Sequence, residues 1–101
     1  MKVYRHGDIL IASVETIPGH ARSRPGLVLA YGEVTGHSHR VETEGRAQLL
    51  ELGGLLFLSI EGEPARLVHE EHDTIVIEPG TYRVWRQREY LSADLNNIVE
   101  D

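Results

Sequence analysis

Two histidines one residue apart, His37 and His39 in "GEVTGHSHRVETEG", are the first residues of this chain whose types and spacing suggest chemistry. Imidazole titrates near neutrality, so a pair can supply a general base and a general acid, and its neutral nitrogen is also a metal ligand. In a strand, side chains two apart share a face. His37, His39 and Val41 then point one way, and Ser38, Arg40 and Glu42 the other. Glu44 comes into phase only if the chain slips by one residue before Gly45, which makes it a further candidate metal ligand. The competing reading of the whole stretch is a polar turn.

A second polar knot, "HEEH" at 69–72, interrupts the apolar runs "ARLV" and "DTIVIEP". A spacing of three places His69 and His72 on opposite faces of a regular strand, so only a bend, bulge or helical turn brings both to one site. One of the two, His69 ahead of His72, is expected to meet His37 and His39; the plain alternative is a solvated hairpin end. The third feature is "TYRVWRQREY", where alternation aligns Tyr82, Val84, Arg86, Arg88 and Tyr90. Guanidinium offers phosphate or carboxylate a planar fork, so Arg86, Arg88 and Tyr90, with Arg40 from a neighbouring strand, form a candidate anion-binding ledge. Its alternative is an edge strand whose charges discourage unwanted pairing. His6 and His20 stand apart from the clusters and read as surface residues.

The elements that must position these groups are short. Apolar runs at 8–15, 26–34, 39–44, 47–52, 55–62, 65–70, 73–79 and 81–91 are separated by Gly- and Pro-rich breaks, and no stretch sustains a helical period. Pro18, Pro25, Pro64 and Pro79 fall at the boundaries, where a missing ladder donor does least harm. The pattern predicts an all-β single domain over 1–101, a small barrel or sandwich of about seven or eight strands. The tail "SADLNNIVED" is either a short helix capped by Ser92 or frayed.

Bulk properties narrow the chemistry. At 101 residues there is room for one small core. Hydrophobic content of 41% and charged content of 26% are those of a soluble chain, no apolar run is long enough to cross a bilayer, and a cytoplasmic protein is expected. With no cysteine, a metal must be held by nitrogen and oxygen. A net charge of −6 argues against a general nucleic-acid coat but leaves room for a local site that binds a small anion.

"GHSHRVETE" resembles the first motif of the cupin superfamily, with His37, His39 and Glu44 at the ligand positions, and "HDTIVIEPGTYRV" is similar to the second. The resemblance implies a cupin-like barrel with a metal centre. The second motif places its histidine near Arg83, and no histidine follows His72, so either His69 or His72 stands in or the site is not the usual metal centre. The chain as a whole is also similar to a family of small uncharacterised bacterial and phage-encoded proteins.

These features point to a histidine-cluster hydrolase. His37, His39, His69 and His72 would act as acid and base, or would hold Zn²⁺, Mn²⁺, Fe²⁺ or Ni²⁺ with Glu44 as a further ligand. The substrate is expected to be anionic, a phosphodiester of RNA or of a linear or cyclic nucleotide. The alternative is a non-catalytic metal-binding sensor or accessory module. A homodimer is expected, since short strands leave edges to cover.

Overall fold

The computed structural model describes residues 2–32 and 34–87, which form ten strands and no α-helix. The strands are β1 (Val3–His6), β2 (Ile9–Ser13), β3 (Arg22–Arg24), β4 (Val28–Tyr31), β5 (Ser38–Glu42), β6 (Arg46–Leu52), β7 (Leu55–Glu61), β8 (Ala65–His69), β9 (His72–Ile77) and β10 (Gly80–Arg86). They build two antiparallel sheets, β1-β2-β10-β7-β6-β3 and β4-β5-β8-β9. The result is an open sandwich: the sheets do not close into a barrel, and the strand count exceeds the seven or eight expected. No described helix is long and apolar enough to cross a membrane.

Period-two alternation builds the core. Ile9 and Ile11, Leu58 and Ile60, and Tyr82 and Val84 project from the large sheet, and Leu29, Val41, Ala65, Leu67 and Ile77 answer from the small one. Burying each Leu or Ile side chain contributes about 1.5–3 kcal/mol. Leu10 and Phe57, out of phase with these, are buried on the other face of the large sheet. There they pair with Trp85 and Arg83, and the Arg83 guanidinium lies 5.3 Å from the Trp85 ring centre. Both faces being occupied explains why "ILIAS" and "LLFLSI" read as continuous apolar runs.

Turn chemistry fixes register. Gly53 and Gly54 both have positive φ (56° and 82°), as a two-residue type I′ hairpin demands, and they set Leu52 opposite Leu55. The two strands that the apolar runs do not announce are β1 and β3. "VYRH" is a short polar-apolar alternation next to the chain start, and "RSR" lies inside the segment 17–26, whose prolines and glycines read as a turn. The tail at 92–101, like Arg88 and Tyr90, lies outside the described residues.

Candidate functional site: a histidine-lined cavity

The hairpin β8–β9 solves the spacing problem of "HEEH". Glu70 and Glu71 form the turn, with a register shift between Leu67 and His69, so His69 and His72 become direct cross-strand partners. Directly opposed residues of an antiparallel pair point to the same face, so both histidines join the site rather than one. On the neighbouring strand Arg40 pairs with Val68, and one step along that register sets His39 beside His69. Three imidazoles thus lie in a row across β5, β8 and β9. Their ring centres are 4.4 Å (His39–His69), 4.7 Å (His69–His72) and 5.6 Å (His39–His72) apart. His37, just before β5, has its ring 5.8 Å from His69.

A fourth imidazole in contact with all three comes from the opposite sheet. His6, expected at the surface, is 3% exposed, and its ring centre lies 5.0 Å from His39 and 5.5 Å from His72. The reason is local: alternation on β1 puts Tyr4 and His6 on one face, and Tyr4 packs against the core. His20 is exposed, as expected. Gly7, at φ 64° in the β1–β2 turn, forms a close wall of the cavity, since a Cβ there would stand 2.7 Å from His72 Nε2.

Hydrogen bonds assign the protons. The Asp73 carbonyl lies 2.9 Å from His6 Nε2, so that nitrogen donates. A neutral His6 then accepts at Nδ1 from His39 Nδ1–H, also at 2.9 Å. His39 is left with a lone pair on Nε2, which lies 3.8 Å from Asp8 Oδ1. Burial, reinforced by the neighbouring imidazoles, pushes His39 down to about 4. His6 is also lowered, mainly by burial. His69 Nδ1 accepts the Glu71 amide at 2.9 Å. His37 Nδ1 lies 2.9 Å from Glu71 Oε2 but is poorly aligned for a hydrogen bond.

The resulting cavity, of about 420 Å³, is open to solvent, and Asp8 and Arg86 stand beside the histidines. Arg86 bonds Asp8 Oδ2 at 3.0 Å and the Tyr31 carbonyl at 2.6 Å. Arg40 is turned away and pairs with Glu70 at 2.8 Å, bracing the β8–β9 turn through a carboxylate that also accepts the Ser38 amide. Glu44 is exposed and held bidentately by Arg66 at 2.9 and 3.0 Å; it does not join the histidines. The slip at Gly45 that would have carried it there does not occur.

One nitrogen each from His39, His69 and His72 lie within 4.8 Å of one another; His37, His69 and Glu70 form a second such group. Neutral imidazoles without a thiolate suit zinc and its first-row neighbours. At zinc–nitrogen distances of about 2.0–2.1 Å, tetrahedral ligands stand roughly 3.3 Å apart, so nitrogens within 4.8 Å of one another are brought to a common ion by side-chain adjustments of about an ångström or so. His69 must also release either its Nδ1 bond to the Glu71 amide or its Nε2 proton. His6 fits the outer role: the Asp73 carbonyl, His6 and His39 form a chain that fixes the His39 tautomer with Nε2 open.

Fold and site together define a small antiparallel β-sandwich with a nitrogen-rich candidate metal centre, in which His39 and His69 are buried and His72 is exposed. The chain belongs to the family described as Domain of unknown function (DUF8820), which matches residues 5–87 and so takes in every histidine described above. No curated protein and no solved structure matches the chain. The cupin resemblance gains no support from these comparisons.

Proposed function

We propose that the cavity binds one divalent transition-metal ion through His39, His69 and His72, and that the protein hydrolyses an anionic substrate there. The class we favour is a phosphodiester of RNA or of a linear or cyclic nucleotide. The observation that carries the metal reading is the row of three imidazoles on three adjacent strands, with nitrogens within 4.8 Å. The downward push on His39 and His6 supports it, because buried neutral imidazoles are ready ligands and poor general acids. A bound ion of this kind supplies a water acidified toward neutrality. The chain's own residues do the rest: His6 orients His39, Arg86 and Asp8 flank the opening, and His37 beside Glu71 offers a second imidazole to take up a proton.

A second reading, a metal-stabilised sensor or accessory module without turnover, is favoured by one feature. Arg40 and Arg86, both expected to receive the anion, are already engaged by Glu70 and Asp8. A panel of RNA, linear and cyclic nucleotides, assayed with and without added Zn²⁺, Mn²⁺, Fe²⁺ or Ni²⁺, separates the two. The hydrolase reading expects metal-dependent turnover that is lost in His39→Ala. Metal binding without turnover leaves the module, and neither metal nor turnover sinks both. Cytoplasmic action and a homodimer belong to the same proposal. Sheet edges at β1, β3, β4 and β9 that are unpaired among the described residues, and the exposed Tyr31 and Val34, support the dimer, which light scattering tests.

A further inference from the structure

A second cavity, of about 500 Å³, opens between the sheets where β3 and the β6–β7 turn face β4. Its floor is apolar, with Ile9 and Val84 from the large sheet and Leu29 from the small one. Its rim is basic. Arg22 and Arg24 are two apart on β3 and share a face, and the register fixes which face it is. Arg24 pairs with Leu49, a fully buried member of the inter-sheet core, so both arginines project toward the gap between the sheets. Arg22 is exposed at the mouth of this gap, where water reaches its guanidinium, and Arg24 is half-buried. Arg24 meets Glu51 at 3.4 Å and the Val28 carbonyl at 3.3 Å, which offsets one positive charge. Arg22 makes no ion pair among the described residues. Arg86 lines this cavity and the histidine cavity alike.

We propose that this cleft is a second phosphate subsite, so that the ligand is a short nucleotide chain carrying two phosphoryl groups. One phosphoryl group lies at the histidines and passes Arg86; the other rests on Arg22 and Arg24, with the intervening sugar and base over Ile9, Leu29 and Val84. The assignment rests on reading the histidine cavity as a phosphodiester site. The Arg22 fork, with Arg24 beside it held by Glu51 and the Val28 carbonyl, offers donors to the several acceptor oxygens of a terminal phosphate. A net charge of −6 disfavours a long polyanion, whose further phosphates would meet repulsion beyond this patch.

Calorimetric titration of the full chain, stripped of metal so that nothing turns over, tests this with a 5′-phosphorylated thymidine dinucleotide, its unphosphorylated counterpart and inorganic phosphate. The phosphorylated dinucleotide is expected to bind at least tenfold tighter than either of the others. In Arg22→Gln/Arg24→Gln that advantage should vanish, and in Arg22→Gln alone it should shrink, with metal stoichiometry unchanged in both and the thermal midpoint unchanged in Arg22→Gln. Equal binding of the two dinucleotides, no binding of either, or an advantage that survives the double substitution overturns the subsite. If the advantage is found while the hydrolysis panel stays silent, the subsite stands and catalysis falls. If turnover is found without the advantage, catalysis stands and the subsite falls.

Discussion

His39 should make the protein lose stability in mild acid. Its pKa of about 4, against 6.5 in an unfolded chain, arises because burial strips water from the ring and His69, His6 and, least, His72 oppose a further positive charge; Asp8 pulls the other way. Above pH 6.5 the ring is neutral folded or unfolded, and its contribution is fully present. As the pH falls from 6.5 toward 4 the unfolded chain takes up a proton that the folded one refuses, so stability drops. One pKa unit is worth about 1.4 kcal/mol, so the loss from His39 reaches about 3 kcal/mol, a large share of a typical 5–15 kcal/mol. Urea unfolding in the presence of a chelator, stepped from pH 7.5 to 4.5, measures it. His39→Gln keeps a donor for His6 Nδ1 but does not titrate, so its profile should be shallower by about 1.4 kcal/mol per pH unit within that window. Carboxylates contribute to both profiles and cancel in the comparison. Parallel profiles would refute the buried, neutral His39.

Three further outcomes follow from the same geometry. His6→Leu should keep the fold but weaken metal binding by roughly 10–100-fold, because His39 loses the partner that fixes its tautomer; metal titration checks it. Gly7→Ala should lower the thermal midpoint and weaken metal binding together, since the added methyl meets His72 Nε2 at 2.7 Å and φ is 64°. Glu44→Gln should leave metal stoichiometry untouched and move the midpoint only slightly, because its exposed pair with Arg66 stands apart from the cluster.

Much of the architecture was legible because alternation and glycine turns act locally. Eight of the strands follow from apolar runs bounded by turn residues, and the pairing of His39 with Val41 on an inward face follows from period two. The convergence of His69 and His72 was not legible from strand periodicity, because it depends on the chain reversing between them. Once Glu70 and Glu71 become a hairpin turn, a spacing that separates faces becomes one that unites them. His6 was missed for a related reason: its neighbours in space, His39 and Asp73, are 33 and 67 residues away. A signal did exist in "VYRHGDIL", where a Gly-Asp turn precedes an apolar strand and places Tyr4 and His6 in phase. Glu44 misled because motif spacing favoured it while nothing in the sequence announced Arg66 as its partner. Whether two sheets close into a barrel depends on which edges pair, and no single strand carries that information.

Titration of chelator-treated protein with Zn²⁺, followed by calorimetry and elemental analysis, addresses the metal centre most directly. One ion per chain, abolished in His39→Ala/His72→Ala while the variant still unfolds cooperatively, is the predicted result. No saturable binding by the native chain, or one-to-one binding retained by that double variant, would contradict it.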